Sequence, residues 1–409
     1  MTGRNRLRRI LNGEPPGRIA WTTLIDDTTR SVMPPDVRAM PVLDFYRHIG
    51  CDILQFGNYG LPRELCVPSP ARLATPPIET EWKTQPDGLA VRTQKTPWGT
   101  LVATFRSGHP IRHPVESLEE LRILRKVWEG SRYVASFPLP PGEGRVRDAG
   151  AGAAPPLTVP HPRPLPEGEG KVSASEPLAT AIDVAIGDDG VFIPNLDPSP
   201  VQQLIELDMG MAAFYCHLED HRPDLESLLD AMHACRVQEY EIVARRSPAP
   251  ALIPVENTST SLISPTLYRR YSLPQIRDYA AIAHRHGKKL ILHMCGKLRG
   301  LVRELAETGL DGINALTPPP VGDLPFESAL DALGDGLIIL GGILDPALFQ
   351  APSLTRDALW HTLDLLFTPR LRRAPFLLWL PADGLPTPVE RLLWVRDWVA
   401  GKRCWGETS

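Results

Sequence analysis

The sequence has no long apolar run. Its longest, Leu337 to Leu344, carries two glycines and is far short of the ~18–20 residues a membrane span requires. It has no charge excess of either sign: 44 Lys+Arg stand against 48 Asp+Glu, a net −4. That balance supplies no basic field for a nucleic-acid backbone. The arginine-rich start, Arg4, Arg6, Arg8 and Arg9, is followed by Gly13, Glu14 and two prolines rather than the apolar core of a secretory signal. Six cysteines, at 51, 66, 216, 235, 295 and 404, show no disulfide-framework spacing, which suits a reducing, cytoplasmic setting. A Gly-rich phosphate loop and a nucleophile elbow are also missing.

What is present in excess is proline, 44 of 409 residues or about 11% against a usual ~5%. Between Ser136 and Gly170 nine Pro and six Gly occur, and Pro138-Leu-Pro-Pro-Gly-Glu-Gly144 returns nearly intact as Pro164-Leu-Pro-Glu-Gly-Glu-Gly170. Such a stretch buries too little apolar surface to offset its ordering entropy, so residues 137–175 read as a disordered, low-complexity insertion.

Elsewhere short apolar β-type runs alternate with amphipathic stretches. The runs are Ile19–Leu24, Asp52–Phe56, Val184–Ile193, Ala212–Cys216, Ala251–Val255, Lys289–His293, Gly312–Leu316, Leu337–Leu340 and Phe376–Leu380. Helical patterns such as Pro265–His286 and Pro388–Val399 lie between them, several opened by Ser-Pro or Thr-Pro. This alternation predicts a parallel sheet, and eight or nine repeats predict an α/β (β/α)8 TIM barrel forming a single domain over 1–409. Residues 80–105 break the rhythm around Pro86-Asp87-Gly88 and Trp98-Gly99, as a β-hairpin excursion does.

The strongest local signal is Lys289-Leu-Ile-Leu-His293-Met-Cys295-Gly296, a strand ending in His-x-Cys-Gly. Catalytic groups of such barrels gather at C-terminal strand ends. Two residues apart on an extended chain, His293 and Cys295 point to one side, and imidazole plus thiolate suits Zn2+; a packed core His and a buried Cys is the plainer alternative. Glu256 and Asn257 follow the Ala251–Val255 run, and Asp383 follows Phe376–Leu380. Either carboxylate could complete a three-ligand site, or could simply cap its helix. Glu256 and Asn257 are the candidate catalytic pair. Asp26 after the first run, Asn58 after the second, and Gly341 with Gly342 after the Leu337–Leu340 run are candidate cofactor-binding positions. His217, His221 and His233 lie in helical stretches and are expected in solvent.

These motifs carry a resemblance. Glu256-Asn-Thr-Ser-Thr-Ser-Leu-Ile-Ser-Pro265, His286-Gly287 through Cys295-Gly296, Thr308-Gly-Leu-Asp-Gly312, the Gly341-Gly342 and Asp345-Pro346 turn, and the Arg4–Glu14 start resemble the uroporphyrinogen decarboxylase superfamily. The resemblance spans most of the chain outside 137–175 and implies a (β/α)8 barrel. It is nearer the zinc-dependent corrinoid methyltransferases, whose metal motif is His-x-Cys with a distal Cys. At the corresponding turn, Ala382-Asp383-Gly384, Asp383 stands where that thiolate would be. The resemblance therefore implies zinc on His293, Cys295 and Asp383 (or Glu256), with cobalamin or a corrinoid protein as cosubstrate. Methyl would pass to or from a small thiol, methoxy or methylamine compound. The alternatives are a porphyrinogen decarboxylase, for which two acids and Arg30 in the first loop are the wrong sign for a polyanion, and a non-catalytic tetrapyrrole or corrinoid binder. Dimerisation suits a barrel of this size.

Overall fold

A computed structural model describes residues 1–136 and 181–402. The insertion expected at 137–175 lies outside the described residues, as does Cys404. The chain forms two compact units, where the sequence reading expected one domain. Unit 1 comprises Met1–Val67, Pro177–Pro198 and Ser247–Ser409, and unit 2 comprises Pro68–Glu176 and Ser199–Arg246.

Among its described residues unit 1 holds eight parallel strands of three residues or more: β1 (Ala20–Thr23), β2 (Ile53–Phe56), β3 (Gly190–Ile193), β4 (Ala251–Pro254), β5 (Lys289–His293), β6 (Gly312–Asn314), β7 (Ile338–Ile343) and β8 (Phe376–Leu380). They fall within the apolar runs of the sequence because both faces of nearly every strand are buried, as in sheets flanked by helices; the run Val184–Ile193 is strand only from Gly190, its start belonging to helix Ala181–Ile186. One sheet runs β1-β8-β7-β6-β5-β4 and ends on the two-residue strand Asn195–Leu196, while β2 and β3 form a separate parallel pair. β2 lies beside β1, and β3 beside β4. The order is that of a (β/α)8 barrel, although among the described residues no ladder joins β1 to β2 or β3 to Asn195–Leu196, so a closed hydrogen-bonded ring is not seen.

Inward-facing Ala20, Leu54, Phe56, Val191, Ile193, Ile253, Ile291, Leu340, Leu377 and Trp379 make the core. The arginine-rich start is the helix Gly3–Leu11, which adds Leu7, Ile10 and Leu11 to that core. It is anchored by Arg6, whose guanidinium pairs with the buried Asp52 carboxylate just before β2.

In unit 2 the excursion at 80–105 falls within a four-stranded antiparallel sheet of Glu79–Thr84, Ala90–Thr96, Gly99–Arg106 and His109–Arg112. Helix Leu118–Glu129, opened by a Ser117/Glu120 capping box, packs on this sheet and on helix Arg222–Arg246. Two expectations are corrected here. Ala212–Cys216 is not a strand but part of helix Gly210–Asp220, which starts after a left-handed Gly210 and buries Phe214, His217 and Leu218. His217 is accordingly out of solvent, 3% exposed. No described helix is long and apolar enough to cross a membrane.

Candidate functional site

Register decides what faces what at the C-terminal strand ends. β5 pairs with β6 so that His293 lies opposite Asn314, and Asn314 lies opposite Leu340 of β7. Asn314 is fully buried, and its side-chain amide donates to the Leu340 carbonyl. A carbonyl can only accept, so that end of the amide is Nδ2. The other end is then Oδ1, another pure acceptor, 2.6 Å from His293 Nδ1. Nδ1 must therefore carry the proton. The imidazole is fixed in one tautomer with its Nε2 lone pair left for chemistry. Phe56 of β2 stacks on the ring at 5.7 Å between centroids and 17° between planes. Burial pushes the His293 pKa below its ordinary 6.5, partly opposed by the Asn314 hydrogen bond, so the ring is neutral at pH 7.

Glu256, Asn257 and Cys295 gather beside this pair. Asn257 sits at φ 44, an uncommon left-handed conformation for a non-glycine residue, and its N–H donates to the His293 carbonyl at 2.8 Å. Ala315, the residue after Asn314, is held at φ 62. Cys295 is exposed, with Sγ 3.6 Å from Asn257 Oδ1. Glu256 is wholly buried and accepts from Thr258 Oγ1 at 2.9 Å. The loops of β4 and β5 meet closely enough to require Gly296, where a Cβ would come within 2.5 Å of Ser259 Cβ.

Asp26 and Asp383 form a second group, around the ends of β1, β2 and β8. Asp26 caps the short helix after β1 through the Thr29 N–H at 2.7 Å, and its other oxygen accepts from Tyr59 Oη at 2.8 Å and from the Gly384 N–H at 3.0 Å. Burial alone would raise its pKa, but these hydrogen bonds outweigh it and hold Asp26 below the ordinary carboxylate value. Asp383 goes the other way. It is exposed, yet desolvation, with the Asp26 charge adding to it, raises its pKa.

Other expected positions are committed to the scaffold. Asn58 clamps the backbone of Val67, donating to its carbonyl at 2.9 Å and accepting its N–H at 2.8 Å. Gly341 makes the bulge in β7 at φ 98, where a Cβ would meet Trp379 at 2.7 Å; at Gly342 it would meet Phe376 at 2.5 Å. Close packing is thus a sufficient reason for both glycines. Arg30 Nη1 donates to the Met40 carbonyl at 2.6 Å, and the guanidinium lies over Phe45.

For a metal, His293 is aimed well, since a fixed Nδ1–H leaves Nε2 as the ligating atom. The set as a whole does not fit zinc. Among the described residues no three His, Cys, Asp or Glu side chains come together as a metal-holding group, and a catalytic zinc needs three protein ligands. Asn314 was not singled out in the sequence; only strand register reveals it.

Parallel α/β architecture with a locked histidine at the carboxyl ends of its strands defines the class, a TIM-barrel-like protein with its candidate site at the usual end. Residues 220–364 match the uroporphyrinogen decarboxylase (URO-D) family model, which bears out the resemblance drawn from the motifs. The matched stretch contains Glu256, Asn257, His293, Cys295 and Asn314; Asp26 and Asp383 lie outside it. No curated protein matches the chain. Among solved structures, a methyltransferase from Methanosarcina mazei superposes with TM-score 0.50 and 11% identity, over 98% of this chain and 99% of its own. At that identity the likeness concerns the fold.

Proposed function

We propose that the chain is a methyltransferase-type enzyme working at His293. The observation that carries this is the Asn314–His293 pair within the URO-D-matching stretch, and the fold likeness to the Methanosarcina mazei methyltransferase supports it. In the finer reading a methylated corrinoid, free or on a corrinoid protein, is the cosubstrate, and a small thiol is the acceptor. Its S–H proton would pass to His293 Nε2 as sulfur takes the methyl group from cobalt, the Co–C bond breaking with its electron pair left on cobalt as Co(I). A histidine neutral at pH 7 with an open lone pair is suited to that. Glu256 and Asn257 hold the β4 end of the site, Asn257 through its bond to the His293 backbone. In reverse, a methoxy or methylamine compound would give its methyl group to Co(I) and leave as the alcohol or amine, taking its proton from the protonated form of His293.

Decarboxylation of a porphyrinogen is the second reading, favoured by the family match alone. The first loop weighs against it. Arg30 is spent on the Met40 carbonyl and Asp26 is anionic, so that loop presents little to attract a polycarboxylate.

The test is methyl transfer from methylcobalamin to 2-mercaptoethanol by the full chain. His293→Ala is expected to lose at least ~100-fold in rate. Wild-type protein without transfer, or a His293→Ala variant as fast as wild type, would overturn the proposal.

A further inference from the structure

In unit 2 several arginines are paired with acids, and Arg92, half-buried in the antiparallel sheet, is not. Arg112 meets Glu116 and Glu120, Arg122 and Arg125 share Asp224, and Arg236 meets Glu239. Arg92 has no carboxylate at ion-pair distance and no hydrogen bond among the described residues, and its Nε is buried without a partner. Only Asp208 reaches it electrostatically, and Asp208 accepts the Gln203 amide at 3.0 Å. Lys83 and Lys95 on the same two strands pair with Glu81 and Glu79.

The sheet explains the placement. Register sets Trp82, Arg92 and Ala103 in one cross-strand row. The guanidinium carbon lies 6.0 Å from the Trp82 ring centroid and 5.6 Å from that of Phe105, and the rings are 5.4 Å apart, tilted by 40°. Trp82 is 57% exposed, so the cluster opens to solvent.

We propose that Trp82, Arg92 and Phe105 form a binding site for a monocarboxylate carried on a flat unsaturated ring. A guanidinium fork matches a carboxylate in two parallel hydrogen bonds. Two aromatic faces beside it favour a flat ring by offset or edge stacking. A single guanidinium charge suits a monoanion better than a phosphate dianion. Burial also works against the Arg92 charge, a cost that a bound anion offsets.

Ligand-observed NMR titration of the full chain with benzoate, cyclohexanecarboxylate and inorganic phosphate tests this. Benzoate is expected to saturate with roughly millimolar affinity. Cyclohexanecarboxylate should bind at least ~3-fold more weakly for want of stacking, and phosphate more weakly still. Arg92→Leu should abolish benzoate saturation. Trp82→Ala changes a largely exposed residue and should weaken binding about 5-fold, keeping the test open should the arginine variant not fold. Benzoate failing to saturate, benzoate binding unchanged in either variant, or phosphate binding more tightly than benzoate would each overturn the site.

Discussion

At the residue scale, Asn314 does for His293 what no neighbour in sequence could. With Nδ2 held by the Leu340 carbonyl, the amide cannot turn over, and the imidazole inherits its tautomer. Because burial lowers the folded-state pKa below 6.5, the unfolded chain binds a proton that the folded one refuses. Stability from this residue is therefore complete above pH 6.5 and falls as pH drops through the window below it. The acid limb of kcat/KM for methyl transfer should likewise lie below pH 6.5. Asn314→Asp puts a carboxylate on Nδ1 and should move that limb up by about one unit or more; a limb that stays in place would disprove the pairing. The His-x-Cys motif was legible because a strand-terminal pattern is local. Asn314 was not, because nothing around Gly312-Ile-Asn314 marks it until β5 and β6 are set in register.

At the element scale, strands were legible wherever two buried faces produced a continuous apolar run, as in β5 and β8. Five apolar residues are also less than two helical turns, and Ala212–Cys216 shows how such a run conceals a helix. Two elements carry measurable dependences. The β7 bulge rests on Gly341, whose φ of 98 and 2.7 Å approach to Trp379 leave no space for a methyl group. Gly341→Ala should cost about 2 kcal/mol or more, seen as a lower urea midpoint at unchanged slope. The helix Gly3–Leu11 is tied down by a buried ion pair, and removing one member strands a charge. Arg6→Met alone should cost about 3–5 kcal/mol, while Arg6→Met with Asp52→Leu should recover most of it. A double variant no better than the single one would show that the pair is not what anchors the helix.

At the scale of the whole molecule, the alternation of strands and helices announced the parallel barrel order, and the composition of 137–175 set that stretch apart from it. The division into two units was not legible, because the hairpin strands and the long helix Arg222–Arg246 lie far apart in sequence and meet only through tertiary packing. The same limit applies to the metal. His293 ends a barrel strand and Cys295 and Asp383 follow theirs, so all three share one rim, but sharing a rim does not bring three donors within ~2.0–2.3 Å of one ion. In the structure Asp383 lies in the field of Asp26 at the ends of β1 and β8, whereas His293 and Cys295 lie beside Asn257 and Asn314. Purified full-length protein, examined by elemental mass spectrometry after incubation with zinc and desalting, should therefore retain well under one zinc per chain. His293→Ala and Cys295→Ala should leave that content unchanged. One zinc per chain, lost in both variants, would show that these donors converge in solution, and the proton role given to Nε2 would then have to be surrendered to the metal.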